Sequence, residues 1–232
     1  RASDAAKHAH EFFERSVKSN NPGGSIDCAK GCFMCCTLYV SATAPEVFLV
    51  AEYLRNETPE RFNEILERVR AVDRDTRYMD DRARLPTRIR CPLLGSDDAC
   101  VAYSVRPSAC RGFVSSSLEA CKRGYAGNGN ETIPRPPMWW QIRGAQNFAV
   151  EAAMIESGLP PTHYSFANAL RIAMENPDAE ERWLKGEHVF ANVMPDSFEA
   201  DNSPQVRAAR VAALIAAAMA QEVPDSGIEP AG

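Results

Sequence analysis

The stretch Cys28-Ala-Lys-Gly-Cys32-Phe-Met-Cys35-Cys36 places four cysteines within nine residues. Its core spacing is C-x-x-x-C-x-x-C, which lets three thiolates on one short loop converge on a single metal centre. Gly31 permits the positive φ that such a loop often needs. The side chain of Cys36 diverges from that of Cys35, so it reaches a second metal or completes the site from another direction. Four more cysteines follow as Cys91-Pro-Leu-Leu, Cys100, Cys110-Arg and Cys121. Their gaps of nine, ten and eleven residues are too long for one loop and need a fold to assemble them.

Other readings of eight cysteines are weaker. A disulfide framework suits small secreted domains that cannot build a core. A chain of 232 residues, 45% of them hydrophobic, can build one. A bridge between the neighbours Cys35 and Cys36 would also strain the backbone. Cysteine as a small buried hydrophobe does not explain clustering beside glycine and lysine. Radical-SAM enzymes share C-x-x-x-C-x-x-C, but they need an alternation of strands and helices that is missing here. They also carry an aromatic before the third cysteine, where this chain has Met34.

The 26 Lys and Arg against 31 Asp and Glu give a net charge of -5, which speaks against nucleic acid and anionic membranes as partners. The longest apolar run, Ala208 to Ala220, is short and holds Arg210, so no span of a bilayer is expected. Positions 1–20 carry charges throughout and lack the apolar centre of a signal peptide, which points to a cytoplasmic protein.

The expected fold is mostly α, a helical bundle-like scaffold around an irregular cysteine-rich centre. Residues 4–19 read as an amphipathic helix with Ala5, Ala9, Phe12, Phe13 and Val17 on one face. Thr43-Ala44-Pro45-Glu46 is a capping box that opens a helix. Thr58-Pro59 starts the next, where Phe62, Ile65, Leu66, Val69 and Val72 keep the 3.6 period. Residues 73–90 are charged and carry no clear pattern, and 115–130 read as a loop. Further helices are expected at about 139–157, 164–175, 179–189 and 203–222. The last is rich in alanine and nearly apolar all round, so it is buried in the protein or packed on a second subunit. Three regions result: 1–24, a helix and linker; 25–130, the cysteine-rich region; and 131–232, a helical extension packed on the same domain.

The cysteine pattern resembles the YkgJ-type cysteine-cluster family, described as a zinc- or iron-chelating domain. Cys28-x-x-x-Cys32-x-x-Cys35-Cys36 carries the first part of the likeness. Cys91-Pro-Leu-Leu resembles its Cys-Pro-aromatic/Leu-Leu element. Cys100-Val-Ala-Tyr103-Ser-Val-Arg106-Pro107-Ser-Ala-Cys110-Arg111 resembles its Cys-x-x-Tyr-x-x-Arg-Pro-x-x-Cys-Arg element, and Cys121 takes the place of the last cysteine. Glu46 stands where the family has an acidic residue. The likeness covers residues 25–125. It implies metal chelation by Cys28, Cys32, Cys35, Cys36, Cys91, Cys100, Cys110 and Cys121. The family includes flagellin lysine N-methylases, which are larger and associated with an iron–sulfur cluster.

Tyr103, Arg106 and Arg111 surround Cys110. Four thiolates around Zn²⁺ or a [4Fe-4S]²⁺ core leave about two negative charges, which nearby cations can offset. Arg106 and Arg111 are the candidates, with Arg106 also holding the loop. Glu46 reads as a helix cap, His163 and His188 as ordinary surface or core histidines, and Trp139 and Trp140 as packing residues. The expected function is a metal-binding protein with an iron–sulfur cluster, [4Fe-4S] first and zinc as the alternative, and with a redox or protein-modifying role. Two alternatives stand beside it: an iron–sulfur enzyme of the lysine N-methylase kind, and a structural zinc protein that binds a protein partner or a second copy of itself.

Overall fold

The computed structural model describes residues 1–20, 25–127 and 131–193. These residues belong to one compact unit, Arg1–Ser197. The alanine-rich segment at 203–222 lies outside them, as do most of the expected linker and part of the loop before residue 131.

The chain opens with α1 (Ala2–Asn20), which buries Ala6 and Phe13. The cysteine loop follows as irregular chain and ends in one turn of 3₁₀ helix, Met34–Thr37. β1 (Ser41–Thr43) leads straight into α2 (Ala44–Glu57). The capping box is present: Glu46 Oε2 accepts the Thr43 N–H at 2.9 Å. Val47, Val50, Ala51 and Leu54 are buried as the spacing predicts. α3 (Phe62–Thr76) buries Ile65, Leu66, Val69 and Val72. The charged stretch after it holds α4 (Asp81–Arg84), capped by the Asp80 side chain, which accepts from the Ala83 N–H.

Two short helices carry the last cysteines, α5 (Ser108–Gly112) and α6 (Leu118–Tyr125). Pro107 is the N-cap of α5. α6 replaces an expected loop. The Ser117 side chain caps it by accepting the Ala120 N–H at 3.1 Å, and its eight residues are too few for a clear period.

α7 (Pro137–Glu156) begins at the proline cluster. β2 (His163–Ser165) comes next and pairs antiparallel with β1, Thr43 opposite His163 and Ser41 opposite Ser165. Tyr164 is therefore in a strand, and α8 starts at Phe166 (Phe166–Glu175). α9 (Ala179–Leu184) stops short of Val189, because Gly186 takes φ +86° and closes the helix end.

The molecule is mostly α, as expected. α2 lies at its centre, packed on α1 and α8, while α3 packs on α8. Ala169, Leu170 and Ala173 of α8 meet the apolar faces of α2 and α3. The ring of Phe48 meets the edge of Trp183 at 5.8 Å. Among the cysteine-bearing segments, α6 packs on the 3₁₀ turn Met34–Thr37, and α5 packs on β1 and α7.

Candidate metal centre

Loop 28–36 is fixed at three places. Asp27 donates its N–H to the Ser115 carbonyl at 2.9 Å, and its carboxylate accepts the Leu118 N–H at 3.0 Å. Between them the Ser115 N–H points at the Cys28 sulfur, 3.4 Å away. Cys28 is thus seated at the start of α6, the helix that carries Cys121. Further on, Gly31 takes φ +85°, and a Cβ there would stand 3.5 Å from the Asp97 carbonyl. Lys30 reaches Asp97 at 3.2 Å on the surface. Last, the Cys36 N–H closes the 3₁₀ turn on Phe33, and the Cys36 carbonyl accepts the Cys91 N–H at 2.7 Å.

A chain of cations and rings ties the same segments together. Arg90 lies 4.6 Å over Phe33, Phe33 meets Tyr125 edge-on at 5.5 Å, and Arg88 lies 4.7 Å over Tyr125. Each such contact adds about 0.5–1 kcal/mol at exposed sites. Together they fasten the first loop to α6 and to the strand of chain that enters Cys91.

Cys91 and Cys100 close a small hairpin. The Leu94 N–H bonds Cys91, the Gly95 N–H bonds Ala99 at 2.8 Å, and the Val101 N–H bonds Leu93 at 2.8 Å. Cys110 sits in α5, whose start is held by a residue from α2. Glu46 Oε1 accepts the Ser108 N–H at 2.7 Å, while Oε2 serves Thr43. Glu46 is therefore a double cap that joins two helix starts. It is buried with His10, whose Nε2 stands 3.6 Å from Oε1. Burial alone would raise the Glu46 carboxyl. The imidazole and the N–H groups of Ser108 and Thr43 outweigh burial and hold it at about 2.

Arg111 and Arg106 sit in different surroundings. Arg111 is buried, donates to the carbonyls of Ser104 and Arg106, and pairs with Glu14 of α1. It holds the loop before α5. Arg106 stacks 3.7 Å over the exposed Tyr103 ring, and its charge favours the thiolate forms of Cys35, Cys100 and Cys110. Glu46 and His10 went unrecognised as a joint because their partners are remote in sequence. Arg84 was missed for the same reason. It is buried, and it donates to the Ile89 carbonyl at 3.1 Å. Among the described residues its Nε has no partner and no carboxylate pairs with it. Burial pushes its guanidinium down, and the neighbours that favour its charge are Cys91 and Tyr39.

All eight cysteines are free thiols. Burial is the main cause that raises Cys28, Cys32, Cys100 and Cys110, and it pushes Cys91 up to about 12. Cys35 is raised first by its hydrogen bond to Cys36 and then by burial. A metal must therefore displace protons to bind. Among the described residues no three His, Cys, Asp or Glu side chains stand ready to hold a metal ion. The donor chemistry suits a soft metal, but the thiols must swing inward to grip one. His163 pairs with Glu151 at 2.9 Å. Phe13 meets the ring of Trp139, while Trp140 is exposed beside Arg143.

Residues 27–132 match the family described as "CxxCxxCC: Putative zinc- or iron-chelating domain". This is the family that the cysteine spacing resembles. The chain matches no curated protein and no solved structure. The matched stretch begins at Asp27, the residue that seats Cys28, and ends before α7. α1 lies outside it, yet His10 and Glu14 reach into it through Glu46 and Arg111. No helix of the described residues is long and apolar enough to cross a membrane.

Proposed function

We propose that the chain is a metal-binding protein whose eight cysteines hold iron in iron–sulfur form. The observation that carries metal binding is Arg84. A buried guanidinium without a carboxylate is costly unless another anion faces it. Here the neighbour is a thiol, Cys91. Metal-bound thiolates would carry the net negative charge that Arg84 and Arg106 lack a partner for. The match of residues 27–132 to a zinc- or iron-chelating family supports the same reading.

The choice of iron–sulfur rests on spacing. The C-x-x-x-C-x-x-C loop offers only one C-x-x-C pair, Cys32 and Cys35, whereas structural zinc sites draw on two such pairs. When bound, the cluster would supply one-electron redox chemistry. The chain's own groups do the rest. Arg84 and Arg106 balance charge, Arg111 and Glu46 fix the turn that carries Cys110, and the Arg90–Phe33–Tyr125 stack holds the first loop in place. A cytoplasmic setting, where thiols stay reduced, suits eight free cysteines.

The test is anaerobic purification with iron, acid-labile sulfide and zinc quantified per chain. Brown protein with iron and sulfide in equal amounts is expected. Colourless protein with zinc and no sulfide, even when ample iron is supplied, would replace the reading with a structural zinc protein. Protein that binds neither metal would end the chelation reading.

A further inference from the structure

The backbone sorts the cysteines into two groups, and this sorting extends the chelation reading, on which it rests. Cys28 is seated by Asp27 and Ser115 against the first turn of α6, the helix that bears Cys121. α6 in turn packs on the 3₁₀ turn Met34–Thr37, and Tyr125 clasps Phe33. The loop that bears Cys28 and Cys32 is therefore held on α6, which bears Cys121. The end of the turn is tied elsewhere: the Cys36 carbonyl takes the Cys91 N–H. The hairpin closed by Val101 and Leu93 returns Cys100 to Cys91, and the Leu94–Cys100 bridge fixes the register. Arg111 ties Cys110 to the chain just after Cys100, through the carbonyls of Ser104 and Arg106.

Cys35 hydrogen-bonds Cys36, so the adjacent pair stands where the two groups meet. Arg84 and Arg106, for which no carboxylate partner is found among the described residues, lie by the second group. Cys28 of the first group is exposed to solvent.

We infer that the domain holds two separate four-thiolate centres, an outer one from Cys28, Cys32 and Cys121 and an inner one from Cys91, Cys100 and Cys110, each completed by one member of the adjacent pair Cys35–Cys36. Each takes a thiophilic metal, as a single ion or as an iron–sulfur core. The adjacent pair is thereby explained: two neighbouring thiols at the junction supply one to each centre. The outer centre is open to solvent at Cys28. The inner one is enclosed and faces two arginines.

The test is native mass spectrometry of the full chain loaded with zinc alone, joined to N-ethylmaleimide labelling mapped by peptide. Two zinc ions per chain are expected. Cys121→Ser should keep one zinc and free Cys28 and Cys32 to label, with Cys91, Cys100 and Cys110 still protected. Cys100→Ser should do the reverse. If the inner variant fails to fold, Cys28→Ser and Cys121→Ser still decide the matter, since the inner thiols must stay protected in both. One zinc per chain in the wild type, or a single substitution that exposes both groups, would overturn the division while leaving chelation intact. Absence of any bound zinc or iron would remove the chelation reading itself, and this one with it.

Discussion

Arg84 and Glu46 are both buried charges, but they stand in opposite conditions. Glu46 has every oxygen served, by Ser108 and Thr43, with His10 beside it. Arg84 has one carbonyl and a thiol neighbour. Replacing an unpaired buried charge by a long apolar chain is often neutral or stabilising. Arg84→Met should therefore raise the stability of the metal-free protein, or leave it unchanged, and weaken metal binding by about tenfold or more. Urea melts with and without metal read both signs; a loss in both states would make Arg84 an ordinary structural residue. Glu46→Gln should cost about 2–4 kcal/mol, because the amide offers Thr43 a donor where it needs an acceptor. The pH dependence follows from the carboxyl's fall from 4.5 to about 2 on folding. A depressed folded value contributes stability above the unfolded value, and that contribution is lost as the pH falls. The gap between wild type and Glu46→Gln should thus be full at neutral pH and shrink from pH 4.5 towards 2. Paired urea titrations would measure it, and a constant gap would show that the charge of Glu46 is immaterial.

At the scale of elements, what the sequence made legible was local. Thr43-Ala44-Pro45-Glu46 spells a capping box in four residues, and α2 begins there. The 3.6 period of α3 likewise needs no partner to be read. The β1–β2 pair was hidden, since each strand has three residues and its partner lies more than a hundred positions away. α6 was hidden under serine and glycine, and the seating of Cys28 by Asp27 and Ser115 depends on that helix. The cysteines announced themselves by type and spacing; their grouping depended on tertiary hydrogen bonds. The close approach of α5 and α7 also escaped reading. A Cβ on Gly112 would clash with the Arg143 Cγ and Cδ and stand 3.0 Å from its Cβ, so the Arg143 side chain would have to swing aside and α7 give slightly. Gly112→Ala should destabilise by about 1–3 kcal/mol. Gly144→Ala, in α7 with nothing within 4 Å, should stabilise by up to about 1 kcal/mol through helix propensity. Equal effects from the two substitutions, measured by thermal melts, would mean that α5 does not lie so close on α7.

Across the whole molecule the two kinds of order are held by different forces. The centre of α2, α3 and α8 is built from buried aliphatic side chains such as Val47, Leu54, Ile65 and Leu170, with Cys91 and Cys100 packed against it. At about 25 cal/mol per Å² of apolar surface, such burial sustains helices on its own. The cysteine-bearing segments are different. Between residues 25 and 40 and between 85 and 127 the regular structure is limited to single turns and two short helices. These segments rely on scattered hydrogen bonds, the arginine–ring stack and, on the reading proposed above, metal. Thiolates drawn from residues as distant as Cys28 and Cys121 close long loops, and closing such a loop is worth roughly 3–4 kcal/mol in the chain-entropy account of crosslinks. Stripping the metal with a chelator should lower Tm by about 6–16 °C for a chain of this size. Amide hydrogen exchange should locate the loss: protection should fall across 25–40 and 88–127 while α2, α3 and α8 keep theirs. Collapse of protection throughout would mean that the helical core depends on the metal, as a zinc finger does. Unchanged exchange in the cysteine segments after full metal loss would mean that the protein's own contacts already hold the thiols, and that the metal is a passenger on a finished fold.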